Sequence, residues 1–278
     1  QALNPISKVV GEVDKITATN LSQRVNEGDG TDEIAQLAVT FNQMLNRIEE
    51  AFKLQKSFVS NASHELRTPL TSITGQLEVA LIKERHPGEY IAVIRSALED
   101  INSLSKLTNG LLILAQANMD ASALRLKEVR MDELLWQTRN ELLKNMPQYK
   151  INIEILDFPE DENKLTVSGS EQLLKSAILN LMVNACKFSP GSEVFISFNV
   201  QNDVIRLVFK DHGIGISPEN LKNIFQPFFR GDNAKTYPGH GLGLSLTQKI
   251  IALHKGEMFI ESVINASTTV TIAFPANS

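Results

Sequence analysis

The sequence predicts a multidomain protein in which an α-helical amino-terminal part and a helical hairpin precede an α/β domain. Its 278 residues exceed the roughly 100–200 residues of a usual domain. Apolar residues recur at steps of three and four up to about Asn118, which is typical of amphipathic helices. Six short alternating runs follow, mixed with helical patterns, and these indicate a separate α/β domain: KINIEIL, KLTVSG, SEVFISFNV, DVIRLVFKD, GEMFIESV and STTVTIAF. A turn at residues 201–203 joins two of these runs in a hairpin, so we expect a mixed or antiparallel sheet.

Charge and cysteine content argue against several classes of protein. The 27 basic and 32 acidic residues give a net charge of −5 without a long run of one sign. Neither nucleic acid nor an acidic membrane surface is favoured as a partner. The single cysteine, Cys186, suits a reducing compartment, so we expect a cytoplasmic location. No stretch approaches the roughly 20 apolar residues of a membrane-spanning helix, so any membrane anchor is expected outside this sequence.

The amino-terminal part is predicted to form two short helices joined by a polar connector. Apolar residues step by three or four from Ile6 to Ile16, and Asn, Gly and Asp residues then break the pattern. Two such helices bury little surface alone, so we expect a dimeric parallel bundle. Without an intervening proline or glycine, the second helix should continue to His64. Its apolar series has coiled-coil spacing: Ile34, Leu37, Phe41, Met44, Ile48 and Ala51.

A second long helix is predicted after a turn at RHPGE, residues 85–89. Two long antiparallel helices with apolar seams need a partner pair. We therefore expect a homodimer that forms an antiparallel four-helix bundle. The seam of the second helix follows a heptad pattern: Tyr90, Ile94, Ala97, Ile101, Leu104, Thr108, Leu111 and Ala115.

The first helix of the hairpin carries the stretch SNASHELRTPLTS, residues 60–72. On a helical wheel His64 lies about 185° from the centre of the apolar face, so it points to solvent or to another domain. Glu65 can accept a proton from the imidazole, or orient it, and leave one ring nitrogen as a nucleophile. Thr68 lies one turn further on the same surface. Pro69 lacks an N–H group, so the helix should kink or loosen beside the histidine.

A polar face on the helix SEQLLKSAILNLMVNACKFSP indicates a ligand site. Asn180, Asn184 and Lys187 fall within about 60° on the wheel, and the apolar residues centre about 120° away. Amide oxygens suit a magnesium ion that keeps waters and substrate phosphates. Lys187 adds a positive charge for phosphate.

Two glycine-containing motifs follow. In DHGIGI, Asp211 ends a strand, and Gly213 and Gly215 let backbone approach a ligand closely. A buried carboxylate there would accept a hydrogen bond from an exocyclic amine and so favour adenine. IFQPFFRG then leads through a loop to GHGLGLS, whose amide groups at a helix start can bind phosphate.

SHELRTPLT resembles the phosphoacceptor box of the sensor histidine kinases of two-component systems. The Asn pair, D-x-G-x-G, the Phe-rich loop and G-x-G-L-G resemble the N, G1, F and G2 boxes of the same family. This resemblance implies an α/β two-layer sandwich ATP-binding domain of the Bergerat type, shared with gyrase-type ATPases. It also implies that His64 receives a phosphoryl group from ATP, that Glu65 is its general base, and that Thr68 positions a water for dephosphorylation of a partner.

The resemblance further implies the ligand contacts. Asn180 and Asn184 would hold magnesium, Lys187 would meet phosphate, and Phe188 would flank the adenine. Arg230 would lie near the transferred group, within a mobile lid of residues 225–240. The nucleotide-binding set would be completed by Asp211, Gly213, Gly215, Gly239, His240, Gly241, Leu242, Gly243 and Leu244.

The amino-terminal hairpin resembles a HAMP linker, with Pro5 opening the first helix, Leu21 and Val25 anchoring the connector, and DEIAQL starting the second helix. The resemblance then covers nearly the whole chain. It implies a HAMP linker at residues 1–52, a dimerisation and phosphotransfer hairpin at 53–120, and an ATP-binding domain at 121–278. It also implies a response regulator as partner and an inner-membrane parent protein whose membrane segment lies upstream.

Three positions depart from the family pattern. His212 replaces the usual Asn, His240 a frequent Thr, and Ala35 a common Gly.

Two other functions compete with the kinase. A dimeric adaptor without catalysis would lack at least one residue that the reaction needs, yet all of those residues are present. A gyrase-like ATPase needs a water-activating carboxylate on the Asn-pair helix, and Glu171 lies about nine residues before Asn180.

Overall fold

The computed structural model describes residues 10–14, 16–17, 20–28, 32–116 and 126–276. It divides the chain into two compact units, residues 1–64 and 65–278. The expectation that Pro5 opens the first helix lies outside the described residues. Within the described ranges, no helix combines the length and the apolar character that crossing a membrane requires.

The first unit is built on helix α1, Glu33–Leu81, which begins here and continues into the second unit. The connector is attached to this helix through Asn42, whose side chain accepts a hydrogen bond from Val25 N and donates one to Val25 O, both at 2.9 Å. Val25 is buried, which confirms its predicted anchoring role, and Leu21 is half-buried. The predicted apolar seam is open in the single chain, since Leu37 is 57% exposed.

The helical hairpin of the second unit consists of the rest of α1 and of α2, Pro87–Gln116. The prediction that α1 runs on through His64 is confirmed, and the helix also continues through Pro69. It ends at Leu81, before the predicted turn at residues 85–89. Arg85 explains part of this difference, because its guanidinium donates to Val79 O in the last turn of α1 at 3.2 Å, where carbonyls lack helical partners.

The carboxyl-terminal part of the second unit contains a mixed five-stranded sheet in the order β2-β4-β5-β7-β6. Strand β2 is parallel to β4, and the other neighbours are antiparallel. Asn202 and Asp203 turn between β4 and β5 with φ of 53° and 57°, which confirms the predicted hairpin. The strands are β1 Lys127–Arg130, β2 Ile151–Asp157, β3 Thr166–Gly169, β4 Val194–Gln201, β5 Val204–Asp211, β6 Glu257–Val263 and β7 Ser267–Pro275.

A layer of helices packs on one face of this sheet, which confirms the predicted α/β two-layer sandwich. Alternate strand residues form the core, and Phe198, Phe209 and Phe274 are among its largest fully buried side chains. Burial of each contributes about 1.5–3 kcal/mol. The sequence did not predict α3 or the small antiparallel β1-β3 sheet beside it. The helices are α3 Met131–Asn145, α4 Glu171–Phe188, α5 Pro218–Leu221 and α6 Gly243–Leu253, with 3₁₀ turns at Glu162–Leu165 and Asp232–Ala234.

His254 links helix α4 to helix α6. It is 3% exposed, its Nδ1–H donates to Ile250 O at 2.7 Å, and its Nε2 accepts from Ser170 N at 3.0 Å. Ser170 is the residue before α4, and His254 caps α6. A ring nitrogen that accepts a hydrogen bond carries no proton, so this bridge requires the neutral imidazole. Burial accordingly lowers the pKa of His254.

We expect acid to weaken the α/β domain through His254. The unfolded ring binds a proton below its ordinary pKa of about 6.5, whereas the buried ring does so only at lower pH. The free energy of unfolding should therefore hold above about pH 6.5 and fall below it, by up to about 1.4 kcal/mol per pH unit from this group. Fluorescence of Trp136, the single tryptophan, measures this in urea titrations at several pH values.

The matched variant for this experiment is His254→Gln, which keeps an acceptor for Ser170 N and does not titrate. The free energy of unfolding of the wild type should fall more steeply than that of the variant as the pH falls below about 6.5. Parallel curves over that range would show that His254 does not carry the acid sensitivity.

Candidate nucleotide and phosphoacceptor site

One face of α4 is polar and only partly covered. Asn180, Asn184, Lys187 and Phe188 are half-buried. Among the described residues, the amide side chains of Asn180 and Asn184 form no hydrogen bond with another protein group. The predicted division of the helix is confirmed by the burial of its opposite face, formed by Leu174, Ile178, Leu181 and Ala185.

The loop after β5 lies against the carboxyl-terminal end of α4. Asp211 is 6% exposed, and its Oδ1 accepts a hydrogen bond from Gly213 N at 2.9 Å. Burial raises the pKa of Asp211, opposed by backbone hydrogen bonds from Gly213 and Thr268. Ile214 N donates to Phe188 O at 3.1 Å, so the loop and the helix end are held together.

Gly213 and Gly215 are required by close backbone packing. A Cβ on Gly213 would lie 2.2 Å from Phe188 O, and one on Gly215 would lie 2.2 Å from Val263 O. Gly215 also has φ of +63°. Neither position admits a larger residue without movement of the backbone, which fixes the path of the loop beside Asp211.

The predicted lid is folded onto α4. Tyr237 packs edge-on against Phe188, with ring centroids 5.1 Å apart. Lys187 Nζ donates to Pro238 O at 3.2 Å and lies 4.1 Å from the centre of the Phe188 ring. The lid contacts of Tyr237 and Pro238 were not predicted individually, although both residues lie within the predicted lid range.

The beginning of the lid contacts Gly241, the residue that follows its end. Phe228 N donates to Gly241 O at 2.9 Å, and a Cβ on Gly241 would lie 2.7 Å from Phe228 C. Arg230, predicted near the transferred group, donates to carbonyls of the lid, at Ala234, Lys235 and Tyr237. The guanidinium therefore stabilises the lid in this conformation.

Lys187 is a partly buried cation beside the segment of residues 239–243, here called the glycine loop. Burial lowers its pKa, and the nearby positive charge of Arg230 lowers it further. Within the described part of the chain it forms no ion pair with a carboxylate. A Cβ on Gly239 would lie 3.5 Å from Lys187 Nζ. An ammonium group that lacks a counter-ion and faces a glycine loop fits an anionic group such as phosphate.

The amino-terminal end of α6 faces the Asn pair. A Cβ on Gly243, the first residue of α6, would lie 3.6 Å from Asn184 Nδ2 and 4.0 Å from Asn180 Cγ. The side-chain amides of the Asn pair and the N–H groups of a helix start, which lack helical acceptors, are thus close together. In the described residues no group of three or more His, Cys, Asp or Glu side chains could hold a metal. A magnesium ion held by the two amides would complete its coordination with waters and nucleotide phosphates, which this cation commonly retains.

The hairpin presents the predicted phosphoacceptor residues on its surface. His64 and Thr68 are exposed, and Glu65 is half-buried. Glu65 Oε2 lies 2.6 Å from Nδ1 of His240, in the glycine loop of the α/β domain. The structure thus brings Glu65 together with that loop. His212 packs edge-on against Phe195, with ring centroids 6.1 Å apart.

Three family models match successive parts of the chain. Residues 1–50 match the HAMP domain, residues 54–119 the His Kinase A (phospho-acceptor) domain, and residues 169–278 the histidine kinase-, DNA gyrase B- and HSP90-like ATPase. The hairpin falls in the second of these segments and strands β4 to β7 of the mixed sheet in the third, whereas β2 precedes the third. The chain belongs to the sensor histidine kinases.

Curated relatives carry the same assignment. The probable sensor kinase SilS of Salmonella typhimurium is 31% identical over 274 residues, covering 95% of this chain and 53% of the relative. The signal transduction histidine-protein kinase ArlS of Staphylococcus epidermidis is 31% identical over 280 residues, covering 99% and 60%. The chain spans about half the length of the curated relatives it matches.

Solved structures share the fold. The histidine kinase AdeS of Acinetobacter baumannii has a TM-score of 0.61 at 22% identity, covering 77% of this chain and 98% of its own. The histidine kinase ThkA, in complex with the response regulator protein TrrA, has a TM-score of 0.63 at 21% identity, covering 82% and 64%. The ATPase domain implies that this chain binds ATP.

Proposed function

We propose that this chain is an ATP-dependent protein histidine kinase that phosphorylates itself on His64. The observation that carries this proposal is the polar face of α4. Among the described residues, the amides of Asn180 and Asn184 form no hydrogen bond and Lys187 forms no ion pair with a carboxylate, and these groups lie near the glycine loop and the start of α6. That arrangement fits a magnesium nucleotide. An exposed histidine on the phosphoacceptor hairpin supplies the acceptor.

The reaction is an in-line transfer in which His64 attacks the γ-phosphorus of ATP. A nitrogen–phosphorus bond forms, the bond from phosphorus to the bridging oxygen breaks, and ADP leaves. Glu65 takes the proton that the imidazole loses. Lys187 and the glycine loop would hold the phosphates, and Asn180 and Asn184 would hold magnesium, which neutralises charge on the phosphates. Asp211 would accept a hydrogen bond from the adenine amino group, and Phe188 would flank the ring.

The remaining nucleotide contacts and the domain limits are part of the proposal. Phosphate would be bound through the segment from Gly239 to Leu244, and Arg230 would have to leave the lid carbonyls to reach the transferred group. Gly213 and Gly215 would line the adenine end. The HAMP linker would comprise residues 1–52, the phosphotransfer hairpin 53–120 and the ATP-binding domain 121–278.

We also propose that the active form is a homodimer. In the second unit, apolar residues of α2 that were predicted to form the seam are exposed in the single chain, with Ile94 at 54% and Ile101 at 47%. In the first unit, Leu37, Met44 and Ile48 are exposed as well. A second copy would cover these faces in a four-helix bundle. The heptad spacing of the α2 seam favours this occupant.

The phosphoryl group would pass to an aspartate of a response regulator, as the complex of ThkA with TrrA suggests. Thr68, exposed one turn after His64, would position a water when the phosphorylated regulator is hydrolysed. We place the chain on the cytoplasmic side of an inner-membrane sensor protein. The relatives' greater length leaves room for a sensing part outside the matched segment.

Isotope position in ATP distinguishes the kinase from an ATPase or an adaptor. With magnesium and ATP labelled at the γ-phosphorus, the chain should acquire label, and with ATP labelled at the α-phosphorus it should not. Addition of a receiver domain should then remove the label from the chain. Release of labelled inorganic phosphate without labelled protein would instead indicate an ATPase.

A further inference from the structure

His240 connects the glycine loop to both helices of the hairpin. Its Nδ1 lies 2.6 Å from Glu65 Oε2 on α1, and its Nε2 lies 3.2 Å from Ser103 Oγ on α2. The His240 side chain is 30% exposed and that of Glu65 is 42% exposed. Both ring nitrogens are therefore engaged by the phosphoacceptor hairpin rather than by the α/β domain.

The donor and acceptor roles at this ring follow from the carboxylate. An ionised carboxylate only accepts, so Nδ1 of His240 carries the proton and donates to Glu65. In the neutral ring Nε2 then accepts the hydroxyl proton of Ser103. A hydrogen bond to an ionised group is stronger than one between neutral groups, so the Glu65 contact is the principal one.

The backbone directs His240 to the hairpin. It lies between Gly239 and Gly241, whose φ values of 134° and 72° suit glycine and few other residues. Next to this loop, Leu242, the residue before α6, and Leu246 of α6 are buried, and a Cβ on Gly110 of α2 would lie 3.8 Å from Leu246 Cδ2. The polar contact is thus supported by apolar packing between α2 and α6.

We propose that His240 is a positioning residue that holds Glu65 in the nucleotide-free protein and releases it when nucleotide binds. This inference rests on the proposed function, in which Glu65 is the base and residues 239–244 bind phosphate. While Nδ1–H is bonded to Glu65, one carboxylate oxygen is occupied and the loop is tethered to the hairpin. Nucleotide phosphate offers His240 a more highly charged acceptor, so nucleotide and Glu65 compete for the same ring.

We call the two hydrogen bonds of the His240 ring, to Glu65 and Ser103, the clasp. Competition predicts that a weaker clasp gives tighter nucleotide binding. Ser103 supports the clasp from α2, and we assign it no contact with nucleotide. Loss of one hydrogen bond, as in Ser103→Ala, should lower the apparent Kd for magnesium adenylyl imidodiphosphate about 2- to 10-fold. The rate of phosphorylation at saturating ATP should stay the same, because saturating nucleotide has already released the clasp.

Calorimetric titration of the full chain with this analogue is the test, and Ser105→Ala is the matched control. Ser105 is an exposed serine on the same helix, so its removal should leave the Kd unchanged. Ser103→Thr keeps the hydroxyl and should restore the wild-type Kd. An equal or weaker affinity in Ser103→Ala would overturn the proposal while leaving the kinase assignment standing.

A second measurement tests the hydrogen bond between His240 and Glu65 directly, and its first comparison needs neither nucleotide nor catalysis. The ¹⁵N signals of the His240 ring should shift in Glu65→Gln, because an amide replaces the carboxylate acceptor. In the wild-type protein, the magnesium-bound analogue should shift the same signals. Identical His240 signals in wild-type protein and Glu65→Gln would overturn the clasp. If the wild-type protein binds no nucleotide at all, the proposed function fails, and the Glu65→Gln comparison still decides whether the clasp exists.

Discussion

Replacement of His64 by Gln should reduce incorporation of γ-phosphate from ATP to the background of a reaction without protein. Glutamine is similar in size to histidine but has no ring nitrogen that can attack phosphorus. Because His64 is exposed on α1, the fold should persist after its replacement. The measurement is label transferred from γ-labelled ATP to the chain, with circular dichroism to verify the helices.

His86 provides the matched control for this variant. It is exposed in the turn before α2, so His86→Gln changes a histidine of the same hairpin without affecting the proposed acceptor. His86→Gln should incorporate phosphate at the wild-type rate. Undiminished labelling of His64→Gln would show that another residue is the acceptor.

Replacement of Asn184 by Ala should lower the rate of phosphorylation by about 100-fold or more. Its amide faces the start of α6 beside Gly243 and has no hydrogen-bond partner among the described residues, so it is available to a cation. Loss of a magnesium ligand removes several kcal/mol of charge stabilisation in phosphoryl transfer. The initial rate of label incorporation at saturating ATP measures this loss.

Asn145, an exposed residue at the end of α3, is the control for an asparagine-to-alanine change in the same domain. Asn145→Ala should phosphorylate at the wild-type rate. Sedimentation should show that the Asn184→Ala chain remains in the same oligomeric state as the wild type. A fully active Asn184→Ala chain would contradict the proposed magnesium role.

Secondary structure in the α/β domain could be predicted because burial there follows simple periods. Six alternating runs became strands β2 to β7, and the wheel of α4 separated its buried face from Asn180 and Asn184. Both results depend only on which side chains avoid water. Strand β1 escaped prediction because its sequence, KEVR, has a single apolar residue and so shows no alternation.

Long-range contacts of the candidate site could not be predicted from sequence spacing. In the sequence, His240 stands out only as a departure from a family pattern. Its bonds to Glu65 and Ser103 join residues 175 and 137 positions apart. Lys187 similarly donates to Pro238, 51 positions away. Such contacts depend on how the elements pack in three dimensions, and no local period reports them.

His254 shows the same limit for a single residue. His254 caps the carboxyl-terminal end of α6, a local role in which its ring donates to Ile250 O. Its second bond, to Ser170 N at the start of α4, follows from the packing of α4 against α6. That bond makes the residue a link between the two helices that frame the nucleotide site.

The central claim is tested most directly by locating the phosphate on the labelled protein. After incubation with magnesium and γ-labelled ATP, the label should be lost in acid, retained in alkali, and found by mass spectrometry on the peptide that contains His64. Phosphohistidine behaves in this way because protonation of the ring nitrogen makes it a good leaving group. Acid-stable label, or label on a peptide without His64, would contradict the account.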